Sequence, residues 1–128
     1  MDGVNKKVRD GRDGEKICIL RVQGYLDIVS ARELGMILDR SFDEGMVRIV
    51  VDLEAVGFVG SMAWGVFLSK IKKFRDAGGD IKLACMNPEV LEVYKILEFF
   101  WFMRSYDSLA AAVQDFQNNI PPMPPLPD

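Results

Sequence analysis

Apolar positions recur along this chain in two rhythms, and the switches between them mark its elements. Ile17, Cys18, Ile19, Leu20 and Val22 make a nearly unbroken apolar run, which predicts a buried strand ended at Gly24. Residues 25–27 predict a short second strand. Ser30-Ala31-Arg32-Glu33 matches a capping box, so a helix is expected to start there, with Ile28, Ala31, Leu34, Leu38 and Phe42 on one face and Gly45 closing it. Residues 47–53 (VRIVVDL) are mostly β-branched and apolar, the pattern of a strand covered on both faces at the centre of a sheet. Residues 54–60 read as a loop, and Ser61 as the N-cap of the next helix. Trp64, Phe67, Leu68, Ile71 and Phe74 then follow at helical spacing, and Gly78 and Gly79 stop the run.

The pattern continues with a strand at residues 81–86. A strand–helix–strand unit of this length implies parallel strands joined by a right-handed crossover. Asn87-Pro88-Glu89 is a helix start of cap, proline and first-turn acid, with Val90, Val93, Tyr94 and Leu97 as its inward stripe. The aromatic run 99–103 predicts a short edge strand. Asp107 is expected to cap a last helix carrying Leu109, Ala112, Val113 and Phe116. The fold class is therefore α/β: a mixed sheet of four to five strands with four helices packed on it. Residues 15–117 form the domain. Residues 1–14, polar with three glycines, read as a flexible arm, and residues 118–128 as a proline-rich tail.

Composition narrows the chemistry. At 128 residues and a net charge of −3, the chain is one domain without a nucleic-acid footprint; the basic cluster Lys70, Lys72, Lys73, Arg75 reads as a solvated helix face. It has no histidine, which removes the usual general base and the commonest metal ligand. Cys18 and Cys85 sit in strand-like runs and read as free thiols, without a disulfide framework or metal-type spacing. No secretory signal or membrane-spanning run is visible, which suits a cytoplasmic protein.

The residues then carry a resemblance. GYLD at residues 24–27, the stretch 47–90 and SYDSLAAAV at 105–113 resemble a STAS domain, the fold of bacterial anti-sigma factor antagonists. The resemblance spans Glu15 to Phe116. It rests on the strand ending in Asp52-Leu53, an aromatic three residues before Ser61, the Gly-Gly turn and the Asn-Pro-Glu-Val helix start. The family carries an Asp-Ser-Ser-Gly-type motif whose second serine is phosphorylated by an anti-sigma kinase. Here the aspartate position holds Gly60, the first serine Ser61, the phosphoacceptor Met62 and the glycine Ala63, followed by Trp64. Methionine has no hydroxyl and takes no phosphate. A phosphate would bring about −1.5 to −2 charge to this corner and spoil a partner surface. Without an acceptor, the surface is expected to stay in its neutral form.

The resemblance implies a non-enzymatic binding module in bacterial transcription regulation by partner switching. Its partner would be an anti-sigma factor of the GHKL serine-kinase type, bound through Gly60, Ser61, Met62 and Trp64 with Asp27 nearby. Each residue also has a plainer reading: Ser61 and Asp27 as helix caps, Trp64 as a core anchor. Ser61 is in addition the one candidate for a displaced phosphorylation site. The alternative function is a scaffold or regulatory subunit of a stress-signalling or transporter-associated complex. If the run 99–102 is exposed, it is a site for a partner or for a homo-oligomer. No cofactor, metal or nucleotide is implied: Ser61 lacks a histidine and a Gly-x-Ser-x-Gly elbow, and no phosphate-binding glycine loop is present.

Overall fold

The sheet follows the order of the chain. A computed structural model describes residues 3–118. Its strands are β1 (Val4–Asp10), β2 (Lys16–Leu26), β3 (Arg48–Val59), β4 (Asp80–Ala84) and β5 (Ser105–Tyr106), adjacent in that sequence. β1 is antiparallel to β2, and the remaining pairs are parallel. The connecting helices are α1 (Ile28–Asp43), α2 (Ser61–Asp76) and α3 (Pro88–Ile96), with a 3-10 turn at Phe99–Trp101 and a last helix α4 (Leu109–Gln117). The α/β class and the mixed sheet agree with the sequence pattern.

Two cores form because the central strands bury both faces. Leu20, Ile49, Val51 and Leu83 pack with Leu34, Phe67, Ile71 and Val90 of the three crossover helices. On the opposite face Ile17, Ile19, Val50 and Ala84 meet Ala112 and Val113 of α4. Residues in β3 therefore alternate between two apolar environments, which is why the strand shows no polar side over its first half. β4 is buried throughout although it contains two charges. Asp80 is paired with Arg75 at 3.0 Å, and Lys82 with Asp115 of α4 at 2.9 Å. A buried charge persists only with such a partner.

The flexible arm expected over residues 1–14 is corrected: Val4–Asp10 is a strand, paired from Val4↔Val22 to Asp10↔Lys16. Its side chains are largely exposed and polar, so it lacks a hydropathy signal; main-chain hydrogen bonds to the edge of β2 hold it. The short strand at 25–27 is the continuation of β2 past register shifts at Arg21/Gln23 and Gly24/Tyr25. The loop at 54–60 is the second half of β3. It pairs with Gln23–Leu26 as a two-stranded ribbon extending beyond the end of β4. The edge strand expected in 99–103 lies instead at Ser105–Tyr106, after the 3-10 turn.

Helix starts differ from expectation in three places. Asp27, not Ser30, caps α1, and Ile28 on the supposed inward face is exposed. Gly60, not Ser61, is the N-cap of α2, and Ser108, not Asp107, caps α4. Asn87 caps α3 as read, accepting from the Val90 N–H at 2.8 Å. At the far end of α2, Gly79 is required by close approach: a Cβ there would lie 1.8 Å from the Val47 carbonyl oxygen. The proline-rich tail lies outside the described residues beyond Asn118.

Candidate functional site

Two consecutive strand-to-helix corners meet at the carboxyl end of the sheet. The first joins β2 to α1. Asp27 accepts a hydrogen bond from the Ser30 N–H at 2.9 Å, and Ser30 Oγ accepts from the Asp27 N–H at 2.9 Å, closing a capping box. The Ser30 hydroxyl lies within reach of both the Tyr25 carbonyl oxygen at 2.8 Å and Asp27 Oδ1 at 2.9 Å, and shares its single proton between them. The Ser30 backbone N–H, and then its hydroxyl, hold the Asp27 carboxyl below the usual carboxylate range. Asp27 thus fills the plainer of its two readings, a cap, while remaining exposed.

The second corner joins β3 to α2. The Gly60 N–H donates to the Leu26 carbonyl oxygen at 2.9 Å, tying this corner to the first. Gly60 then starts α2 through its own carbonyl, which accepts from Ala63 N–H at 3.0 Å. No side chain caps this helix, and its first turn holds no acid. Ser61 occupies the first helical position, exposed, so the expected cap function of its hydroxyl is not realised. A Cβ on Gly60 would lie 3.2 Å from the Leu26 carbonyl oxygen and 3.2 Å from Cε2 of Phe58. The Phe58 ring therefore packs over the position where the family has its aspartate.

Met62 and Trp64 point opposite ways. Met62 is 38 % exposed, whereas Ala63 and Trp64 are buried, Trp64 to 4 %. The indole packs against Phe99 with ring centres 4.9 Å apart, and against Phe67 and Tyr94 at 6.3 and 6.4 Å. Its N–H has no hydrogen-bond partner. Trp64 as a direct partner contact is thus corrected: so buried a side chain offers almost no surface, and it acts by holding the first turn of α2 in place. The residues missed by the sequence pattern are Tyr25, Ile28, Val29 and Phe58, all exposed large apolar side chains; the first three flank Asp27 in the chain and Phe58 lies against Gly60. Tyr25 and Phe58 are register partners on the ribbon. For Phe58 the signal was available as a large apolar residue in a segment read as loop, whereas Tyr25 lay in the short strand at 25–27 and Ile28 on the helix face read as inward. Such a grouping of exposed apolar residues with a charged rim is what protein interfaces use. Beside it, Phe58, Val59, Val90 and Val93 line a small cavity of about 110 Å³.

The basic cluster of α2 is paired internally. Lys70 and Lys73 both reach Asp39 of α1, at 2.8 and 2.6 Å, Lys72 pairs with Asp76, and Arg75 with Asp80. The basic cluster is thereby consumed by the fold. Asp52, Glu54 and Cys85 bring ligand atoms within 4.8 Å of one another, a gathering invisible in their sequence spacing. Arg21 balances both carboxylates, at 3.6 and 3.4 Å. Burial, then the charges of Asp52 and Glu54, push the Cys85 thiol up, away from the thiolate a metal needs. Among the described residues, no helix is long and apolar enough to cross a membrane.

Comparison with known proteins gives a consistent result. A family model for the STAS domain matches residues 7–112. The chain is 30 % identical over 116 residues to BtrV of Bordetella bronchiseptica, assigned as an anti-sigma factor antagonist, covering 91 % of this chain and 98 % of that protein. It is 26 % identical over 102 residues to an anti-sigma F factor antagonist of Paenibacillus polymyxa, covering 79 % and 87 % of the two. In structure it resembles a protein from Thermotoga maritima assigned as an anti-sigma factor antagonist, with a TM-score of 0.74 at 22 % identity over 86 % of this chain and 92 % of that one.

Proposed function

The chain belongs to the STAS domain family, and from that premise we propose that it is a non-enzymatic anti-sigma factor antagonist whose docking corner has no phosphorylation switch. It binds an anti-sigma factor of the GHKL serine-kinase type in the cytoplasm and so frees a sigma factor for transcription. The docking surface is the corner of Gly60, Ser61 and Met62 with Asp27, extended by Tyr25, Ile28, Val29 and Phe58. Trp64 supports this surface from beneath.

One observation carries the reading: an exposed methionine stands where the family has its phosphoacceptor, at a helix start with neither acid nor side-chain cap. The unpaired N–H groups of such a start favour a negative group, from a phosphate or from a partner. Here no hydroxyl stands at the acceptor position, so the corner stays uncharged. An adaptable apolar side chain suits the interface better than a serine that is never modified.

Affinity isolation of the full chain from its native cell tests the partner. Recovery of a GHKL-type serine kinase is expected. Recovery of only scaffold or membrane-transport proteins removes the antagonist reading in favour of a regulatory subunit. Incubation with the recovered kinase and ATP tests the switch. Mass spectrometry is expected to find no phosphate on the wild type, and phosphate on Met62→Ser. Stoichiometric phosphate on Ser61 of the wild type overturns the permanently unswitched corner.

A further inference from the structure

The two edges of the sheet are finished differently. β1 is guarded by charge: Lys6, Lys7 and Arg9 are all exposed on it, which discourages another strand from pairing there. The two residues of β5, Ser105 and Tyr106, carry no charge. β5 hydrogen-bonds inward to β4 through the carbonyls of Arg104 and Tyr106, at 3.1 and 2.9 Å. The main chain of Ser105, between them, therefore faces outward. α3 and α4, on opposite faces of the sheet, leave a groove of about 1170 Å³ over this edge. Tyr94, Phe100 and Tyr106 wall it. Phe100 is 44 % exposed, and Trp101, with its ring centre 5.6 Å from that of Phe100, is 68 % exposed. Aromatic side chains bury roughly 150–250 Å² each, so these two leave roughly 250 Å² in water. Two copies bring on the order of 500 Å², about half of the roughly 1,000 Å² that a specific interface needs, and the groove walls add to it.

The groove carries both signs of charge, from Lys95, Arg104, Asp107 and Asp115. Arg104 and Asp115 lie 3.6 Å apart, and Asp115 also holds Lys82, so these are spent on each other. Lys95 and Asp107 make no ion pair among the described residues. They stand at opposite ends of the groove. α3 crosses from the carboxyl end of β4 to the amino end of β5, which puts Lys95, in its last turn, toward the amino end. Asp107 directly follows the carboxyl end of β5. A second copy, related by a two-fold axis normal to the sheet, has its ends reversed. Asp107 of each copy then meets Lys95 of the other. The same rotation sets Ser105 antiparallel to Ser105, where each exchanges its N–H and carbonyl with the other. It also carries Phe100 and Trp101 of each copy toward Leu91 in the first half of the other's α3, a further wall of the groove.

We propose that the β5 edge and its groove form the interface of a symmetric dimer, with Phe100 and Trp101 as its apolar anchors, the Ser105 main chain on the axis and two Lys95–Asp107 pairs at its ends. A second copy fits this surface because the surface is complementary to itself: its two unpaired charges are opposite in sign and the two-fold exchanges them. β5 lies two strands from β3, so the Met62 corner takes no part, and the dimer stands whether or not that corner binds an anti-sigma factor.

Analytical ultracentrifugation of the full chain over a range of concentrations tests this directly. A reversible equilibrium between monomer and dimer is expected, with a dissociation constant in the micromolar range that suits a small interface. Trp101→Lys replaces an exposed anchor with a charge and should weaken the dimer at least about tenfold. Lys95→Asp and Asp107→Lys each set two like pairs face to face, and each should weaken it about tenfold. The double variant Lys95→Asp, Asp107→Lys restores opposite charges across the axis and should recover most of the wild-type affinity, a result that loss of folding does not imitate. A chain that stays monomeric up to millimolar concentration overturns the proposal. So does a dimer that Trp101→Lys leaves intact, or one that the double reversal fails to restore.

Discussion

The two strand-to-helix corners at the carboxyl end of the sheet are built from similar parts and finished in opposite ways. At the start of α1, Asp27 and Ser30 satisfy each other's backbone N–H groups, and Ser30 also reaches back to Tyr25. At the start of α2, Gly60 offers no side chain, Ser61 caps nothing, and Met62 stands exposed. The hydrogen bond from Gly60 to Leu26 carries the pairing of β2 and β3 up to the corners and ties one to the other. The first corner is closed on itself and needs nothing from outside. The second keeps its donors and an apolar side chain for something that arrives. Placing the closed corner beside the open one gives the open one a rigid frame without capping it.

The largest expected effect tests the support beneath the open corner. Trp64→Ala removes the indole packed on Phe99 and should cost about 3–5 kcal/mol in chemical denaturation, the range for deleting a buried large aromatic. A loss under 1 kcal/mol would mean that the turn is held by other contacts. Next comes the charge of the corner itself. Ser61→Asp puts an acid in the first turn of α2, where the helix dipole favours it by about 0.3–1 kcal/mol. The melting temperature should rise slightly while calorimetric affinity for the anti-sigma partner falls at least about tenfold, equal to 1.4 kcal/mol. Unchanged affinity would take this corner out of the interface.

The closed corner should respond to pH. Its folded-state pKa is lowered, so Asp27 contributes stability above its unfolded value, near 3.8, and loses it as the pH falls through the folded value. Asp27→Ala should therefore be less stable than the wild type at pH 7, and the gap should narrow as the pH falls below 3.8 through the lowered folded value, down to the part that a neutral cap supplies. Asp27→Asn, which still caps, should keep most of the stability at both pH values. A gap of constant size over the whole acid titration would show that the charge of Asp27 contributes nothing to the cap. The smallest effect concerns the missing family acid. Gly60→Asp presses its Cβ on Phe58, so it should destabilise the wild type and be tolerated in a Phe58→Ala background, with a coupling of about 0.5–1 kcal/mol in a double-mutant cycle. Additive changes would show that Phe58 does not select the glycine.

Much of this arrangement was legible in the residues. The helical spacing from Trp64 to Phe74, the Gly-Gly stop and the Asn87 cap are local codes, and each holds in the structure. Helix starts were read less well. Ser30 and Ser61 both have cap chemistry, yet Asp27 and Gly60 took the positions because each directly follows the last paired residue of its strand, Leu26 of β2 and Val59 of β3, and the helix begins at once. Phe58 was hidden because a ribbon strand with few apolar neighbours has the composition of a loop, and Tyr25 because a place on a short strand does not say which side chains stay uncovered. β1 was missed because an exposed edge strand depends on its partner's main chain and not on its own side chains.

Lys82 shows the remaining limit. In the strand pattern it looks like a solvent-facing position, but α4 crosses that face and brings Asp115 to within 2.9 Å of its ammonium group. The sequence by itself determined the helices, the buried stretches of the central strands, the parallel crossovers and a methionine at position 62, because each is written in residues near one another along the chain. Tertiary structure alone decided that Phe58 and Tyr25 stay uncovered, that the basic cluster is spent on Asp39, Asp76 and Asp80, and that residues 4–10 join the sheet. Those outcomes depend on which surfaces other elements cover and on main-chain hydrogen bonds, which read almost nothing of side-chain identity.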